Sequence, residues 1–421
     1  VITTTHGLQE QYVMEDKKIF SIKGKTNYSC SFLPKTSYND PQCQQQINAK
    51  KCNPKINCDY VKKRDFFLQK ADLRLTNSAY FISAPVDLIA ATIPDRTYSD
   101  LLIIDECHSL DEVIVNNATR AFDIEEIKKS SSLLGLRLVN ILAEFILIFS
   151  NYEVGSCINS SEFREHAYDV CDKIKEIKLE LEDSVKSANS GDQAKILHCI
   201  SYLTEIIGLF CYFVSKDYSG IWILEEYVYA QKLKLIPLYA HQVTSRALFS
   251  KAKQFLHMSA TICGVDEYKK TLGIPDENCV YLEMPNPIPK ENRLVYNLGA
   301  IKVSGDINYK EMGDVIDRIV SKHTSINQNG VIHTVSFKLS EAIRENSVNK
   351  RKMKISNKRD EILSWLREPR GRVILSPSIE TGYDFRGDTS RFQIVAKVPF
   401  EYLGSKYVTE NMTRSPKWYA R

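Results

Sequence analysis

The chain of 421 residues has no apolar run near the roughly 20 residues that a bilayer-spanning helix needs. Its longest run, IIGLFCYFV at 206–214, has the length of a buried helix segment. No basic start followed by an apolar core appears in VITTTHGLQE, so no signal peptide is read there. There is no internal repeat and no low-complexity tract. Net charge is slight, +4. Such a balance neither requires nor excludes a nucleic-acid partner, because it still permits a local basic groove. Nor is there any tight C-x2–4-C pair, the usual zinc spacing. What remains is an ordinary globular composition, 43% hydrophobic and 26% charged. The length calls for two or more domains.

Cysteine is the residue in excess, with 11 in the chain. Those at 107, 157, 171, 199, 211, 263 and 279 are scattered. An odd total without regular spacing argues against a disulfide framework and for a reducing cytosol. The expected localisation is therefore cytoplasmic, with the nucleoid or the nucleus as the working site according to the host. The other four, Cys30, Cys43, Cys52 and Cys58, fall within residues 24–63, a stretch without periodicity that also holds Pro34, Pro41 and Pro54. It has too few large aliphatics to fold by burial alone. Four thiolates on one metal centre would supply the missing crosslinks. Spacing alone leaves zinc and iron–sulfur both open.

The most informative stretch is LLIIDECHSLDE, residues 101–112. Four aliphatics predict a strand buried on both faces, and it ends in Asp105 and Glu106. Two adjacent carboxylates at a buried strand end are unfavourable unless a positive charge meets them. Mg²⁺ on a nucleotide's phosphates is such a charge, since it takes one or two carboxylates plus phosphate oxygens. In that reading Asp105 holds Mg²⁺ and Glu106 orients or deprotonates the attacking water. The bland alternative is a strand end whose acids face solvent; the aliphatics before it and His108 after it weigh against that.

Along the rest of the chain, VITTT predicts a strand, as do ADLRLTNSAYFIS and SDLLIIDE around a short helical piece. Phe163, Ala167, Val170, Ile174, Ile177, Leu181 and Val185 step by three or four and predict a long amphipathic helix. SANSGDQ (187–193) breaks it, and a second apolar helix runs on to Cys211. WILEEYVYAQKLKLIPL predicts strand pairs and KQFLHMSATI a strand. After the Pro-rich PNPIPKEN (285–292), GVIHTVSF (330–337), RVILSPS (372–378) and FQIVAKV (392–398) predict a second strand set. Alternating strands and helices imply an α/β fold with parallel sheets, whose ligands bind beyond the carboxyl ends of the strands.

Asp105-Glu106-Cys107-His108 resembles a DEAH box with Cys in the Ala place. VITTTHGLQEQ resembles motif Ia, HMSATI (257–262) the Ser-Ala-Thr motif, and SPSIETGYDFRGDTSRFQIVAKVPF motif V. Together, in this order, they resemble the XPD/DinG branch of iron–sulfur superfamily-two DNA helicases over essentially the whole chain. The resemblance implies two RecA-like parallel-sheet domains, the first carrying a cysteine-rich insertion and a helical arch insertion. The implied divisions are 1–23, 64–112 and 221–288 for domain 1, 24–63 for the iron–sulfur insertion, 113–220 for the arch and 289–421 for domain 2. ATP and Mg²⁺ would lie between the domains, and single-stranded DNA would cross their top toward a duplex fork, with 5′-to-3′ polarity. No membrane partner is expected. Asp105, Glu106 and His108 would be catalytic; Ser259, Thr261, Gly382 and Asp384 would couple to nucleotide; Thr4, Thr5, His6 and Thr381 would touch DNA. Cys30, Cys43, Cys52 and Cys58 would hold a [4Fe–4S] cluster, whose domain would act as a wedge at the fork.

Two departures stand out. Gly24-Lys25-Thr26 imitates the tail of a Walker A loop, but Ile19 occupies the place of its first glycine. The phosphate loop is therefore expected upstream of Val1. The arginine motif that follows motif V in the family is not reached either, so the chain is expected to be the middle of a longer helicase. Lys62, Lys63 and Arg64, and KRKMK at 350–354, are candidate phosphate contacts, with solvated charge runs as the alternative. A non-catalytic DNA-binding scaffold that kept the fold and lost ATP use is the rival function.

Overall fold

The computed structural model describes every residue except 5, 31, 34, 35, 37, 39–42, 44, 45, 48–50, 84–98, 131–133, 186, 216–219, 263, 299–307, 380–382 and 421. At 6, 69, 99, 130, 135, 190, 191, 194 and 420 it describes the backbone alone. The fold is mixed α/β in two compact units, Val1–Val280 with Tyr402–Arg421, and Tyr281–Glu401. The last twenty residues thus group with the first unit, not with the second set of strands as the sequence division has it. Among the described residues no helix is long and apolar enough to cross a membrane.

The first unit is built on a parallel sheet, with strands numbered along the chain. Its members are β1 (Ile2–Thr3), β2 (Ile19–Ser21), β3 (Leu73–Asn77), β4 (Ser99–Ile104) and β9 (Ala252–His257), in the order β2-β3-β1-β4-β9. The opening strand is two residues long because the helix His6–Glu15 starts almost at once. β4 does not bury both faces. Leu102 and Ile104 are 3% and 1% exposed, but Leu101 is 50% exposed. Helix Leu110–Ala118 and helix Ser78–Ser83 contribute Leu110, Ile114 and Phe81 to the same core as Leu102 and Ile104. Burial therefore follows the pleat.

Between β4 and β9 lies the large insertion. Helix Arg164–Val185 buries Ala167, Val170, Ile174 and Ile177 of the expected stripe, with Cys171 beside them, while Leu181 and Val185 are half-buried. The following helix, Ser190–Leu209, opens where expected, with the Asn189 side chain accepting from the Asp192 N–H at 3.0 Å. The insertion is not purely helical. β5 (Arg120–Asp123), β6 (Cys157–Asn159), β7 (Ile221–Val228) and β8 (Lys232–Pro237) form an antiparallel sheet in the order β5-β8-β7-β6. Residues 221–237, assigned from sequence to domain 1, thereby hydrogen-bond into the insertion. β5 and β6 flank β7 and β8 as edges of four and three residues, too short to leave a period in the sequence.

Phe145 is 1% exposed at the centre of this core. Its ring centroid lies 5.8 Å from Phe122, 5.6 Å from Phe149, 4.9 Å from Phe210 and 6.1 Å from Phe213. Such aromatic contacts add to simple area burial.

The second unit has a parallel sheet of β10 (Gly330–His333), β11 (Met353–Ile355), β12 (Val373–Ser376) and β13 (Phe392–Val395), in the order β11-β12-β10-β13. Side chains alternate to two cores. Ile332, Val373 and Leu375 pack with Met312, Ile316 and Val320; Val331 and Ile374 pack with Ile362 and Leu366. Helices on both faces follow from the apolar runs Val331-Ile332 and Val373-Ile374-Leu375 in the two central strands. Gly330 is required at the head of β10, because a Cβ there would lie 2.2 Å from the Phe392 ring on β13. The strand expected over 330–337 stops at His333, since Ser336 caps a helix over Phe337–Glu345.

Truncating Phe145 to Ala is expected to cost about 3–5 kcal/mol of stability, read as a lowered midpoint in chemical unfolding. Leu136→Ala, at a position 74% exposed, is expected to leave the midpoint nearly unchanged.

Candidate functional site

At the carboxyl end of β4 the chain turns sharply. Glu106 adopts φ 52°, a left-handed conformation that a non-glycine residue enters at a cost. The turn is held locally: the Glu106 N–H donates to Asp105 Oδ1 at 3.0 Å, and Asp105's own N–H donates to the Ile2 carbonyl at 2.9 Å. A short 3₁₀ turn, Cys107–Ser109, then leads into helix Leu110–Ala118. Asp105 and Glu106 are therefore presented at the sheet's carboxyl edge, as expected of a ligand-binding edge.

β9 runs beside β4 in parallel, with Ile104 opposite His257. The pairing continues past both strands, since Met258 N–H donates to the Ile104 carbonyl at 2.8 Å and Cys107 N–H to the Met258 carbonyl at 3.0 Å. Ser259 consequently meets the acidic turn. His108 Nδ1 is 2.9 Å from Ser259 Oγ and 3.3 Å from Glu106 Oε2, and Ser259 Oγ is 3.5 Å from the same carboxylate oxygen. With Nδ1 protonated, His108 donates to the hydroxyl, which is left free to donate to Glu106. Thr261 joins through its backbone, donating its N–H to Ser259 Oγ at 3.3 Å. The structure thus brings Asp105, Glu106, His108, Ser259 and Thr261 together.

Other expected residues fare differently. Thr4 follows β1, and its Oγ1 is buried with no partner among the described residues. His6 opens the helix His6–Glu15. Thr5, Thr381 and Gly382 lie outside the described residues. Asp384, in the second unit, pairs with Arg386. Of the basic trio, Arg64 pairs with Asp65 at 2.8 Å and Lys63 lies 5.3 Å over the Tyr28 ring. In KRKMK, Lys352 donates to Thr324 at 3.1 Å and Lys354 is 3.6 Å from Glu361.

Cys30, Cys43, Cys52 and Cys58 line one narrow cavity together with Tyr28 and Tyr38. Burial pushes the Cys52 thiol up, and the neighbouring Cys30 and Cys58 thiols push it the same way. Four converging sulfurs are the donor set of an iron–sulfur cluster. The cavity measures about 10 Å³, the room of a single water or ion. Among the described residues no group of three or more His, Cys, Asp or Glu has the arrangement of a metal site. The cysteines therefore fit a cluster in chemistry and neighbourhood, but not in the space between them. Asp105 needs no such group, because Mg²⁺ is completed by phosphates and water. Each of its carboxylate oxygens has one internal donor and keeps a lone pair.

Three participants were given no role from the sequence. Tyr12, on helix His6–Glu15, donates its hydroxyl to Asp105 Oδ2 at 3.1 Å. Burial, then the charge of Asp105, push that phenol up to about 12. Behind the turn, His257 Nδ1 is 2.6 Å from the Tyr268 hydroxyl, and Tyr268 also reaches the buried Cys107 thiol. Burial holds His257 down at about 4. No local pattern marks these residues; only the fold makes them neighbours.

No protein-family model matches the chain, and no curated protein does. Among solved structures it is similar to one named "XPD_APO", at TM-score 0.47 and 15% identity over 98% of this chain and 78% of that one. It is similar also to one named "XPD_Helicase", at TM-score 0.47 and 14% identity over 98% and 79%. Likeness this distant carries no residue's role across.

His257 gives the site a pH signature. Its folded pKa lies below the unfolded value near 6.5. Between pH 6.5 and about 4 the unfolded chain binds the extra proton, so stability falls as pH drops through that window. The expected loss is about 3 kcal/mol. His257→Gln should flatten this part of the profile relative to wild type, measured as unfolding midpoint against pH.

Proposed function

We propose that this chain is the motor part of an ATP-dependent DNA helicase of the XPD/DinG kind, with RecA-like domains at its two parallel sheets. One observation carries the reading: the joined carboxyl ends of β4 and β9, where Glu106, His108 and Ser259 lie within hydrogen-bond reach of one another. In this reading Asp105 would hold Mg²⁺, which supplies charge neutralisation at the phosphates when bound. Tyr12 keeps the Asp105 carboxylate turned to the edge. Glu106 takes the proton of the attacking water. His108 passes the state of Glu106 to Ser259, and so to the segment that leads through Thr261 into the rest of the unit. The DNA-facing residues, 5′-to-3′ polarity and the fork belong to the same proposal.

The insertion over 113–220 is proposed as the arch. The cysteine cavity is proposed as the seat of a [4Fe–4S] cluster held by Cys30, Cys43, Cys52 and Cys58, with the thiols drawing apart to admit it. It would crosslink a segment that burial does not hold.

Two measurements test this. In full-length protein, Glu106→Gln should leave ATP binding intact and slow hydrolysis about 10²–10⁴-fold. Turnover near wild type would remove Glu106 from the chemistry, whereas no hydrolysis by the unaltered protein would leave the non-catalytic scaffold in its place. Anaerobically purified protein should be brown and carry about four irons per chain, and Cys58→Ser should bleach it. One zinc and no iron would replace the cluster by a zinc site.

A further inference from the structure

The first unit contains a second cavity, of about 150 Å³, that the proposed chemistry does not use. It lies where the C-terminal helices Lys406–Arg414 and Pro416–Ala420 meet the start of helix His241–Ala247 and the outer side of helix Val265–Leu272. Its walls are aromatic. Tyr239 and His241 stack at 5.2 Å with 15° between their planes, and Trp418 lines the same space. Two cations line it as well. Arg414 is oriented by Glu410 and by the Tyr239 hydroxyl at 3.5 Å. Lys270 has no ion-pair partner among the described residues. The lining also holds a carboxylate, Glu267, whose Oε1 accepts from Ser415 at 2.8 Å.

We infer that this cavity receives one nucleobase, with the attached phosphate held at its mouth by Lys270. Size decides against a larger guest, since drug-sized ligands need about 300 Å³ or more. Flat aromatic walls beside a cation are the chemistry that captures an unstacked base and its phosphate. A carboxylate on the wall favours a base with an exocyclic amine, which can donate to it. A free mononucleotide and one nucleotide of a single strand present the same chemistry. The inference deepens the nucleic-acid half of the proposed function and is independent of the Asp105 site.

Photolysis of the protein with single-stranded DNA carrying 8-azidoadenine, and separately with 8-azido-AMP, tests it by peptide mapping. Label is expected on the peptide with Tyr239 and His241 or on that with Trp418. Labelling by the strand alone assigns the cavity to a nucleotide within a strand; labelling by the mononucleotide too assigns it to the free ligand; both support the inference. Lys270→Ala, an exposed change, should weaken whichever form labels the cavity about tenfold. It should also lower the slope of log affinity against log salt for a single strand by about 0.7. Strands that bind but label only other peptides, with an unchanged slope in Lys270→Ala, overturn the cavity and leave the proposed function standing. Labelling by the mononucleotide with no strand binding leaves the cavity and removes the DNA half of that function. No label in either arm overturns the inference.

Discussion

The parallel pairing of β4 with β9 is the constraint on which the candidate site depends. His108 and Ser259 are 151 residues apart in the chain, and no local rule joins them. Register does. Ile104 stands opposite His257, so both strands end at one edge and their following residues emerge side by side. The two backbone bonds beyond the strands, Met258 to Ile104 and Cys107 to Met258, carry the ladder into the turn. A register slip by one residue would turn Ser259 to the other face of the sheet and part it from both Glu106 and His108. The site is thus a property of the pairing, and its side chains are passengers on it.

That dependence explains what could be read in advance. Asp105, Glu106, His108 and Ser259 were legible because they sit in short motifs at or just beyond predicted strand ends, and the order of those motifs resembles a known family. Helix Arg164–Val185 was legible because its buried stripe runs over several turns. β5 and β6 were not, because strands of four and three residues exist only through pairing with β8 and β7. The exposed face of β4 was misjudged because an aliphatic run states what a strand could bury, not which helices arrive to cover it. Tyr12, His257 and Tyr268 contribute through contacts across the fold, and single-sequence patterns do not encode those. The grouping of Tyr402–Arg421 with the first unit was unreadable for the same reason: Tyr407 N–H donates to Glu225 at 3.0 Å, across 182 residues.

The left-handed Glu106 shows how the turn keeps its shape. A non-glycine residue there costs about 1–2 kcal/mol. The Glu106 N–H bond to Asp105 and the Cys107 N–H bond to Met258 contribute roughly 1 kcal/mol each. The second of these exists only while β9 is in place. The same pairing that anchors the turn after Glu106 also delivers Ser259, so the two side chains are brought together by one event.

The insertion is tied to this arrangement through a buried cation. Arg120, 7% exposed, follows helix Leu110–Ala118, which itself continues from the acidic turn. Its guanidinium donates to the carbonyls of Asn117 and Thr119 at 2.7 and 2.9 Å, and to that of Leu209 at 2.6 Å. These carbonyls lie at the ends of two helices, where partial negative charge accumulates. Tyr212 covers the guanidinium at 4.8 Å and meets Arg246 on helix His241–Ala247 at 5.5 Å. A buried charge satisfied on several sides tolerates little displacement, because each lost acceptor leaves a desolvated donor behind. The helix that leaves the site, the last turn of the insertion's second long helix and the helix before β9 are consequently fixed to one point. The insertion is thereby joined, through Arg120 and Tyr212, to the helix that continues from the turn holding Glu106.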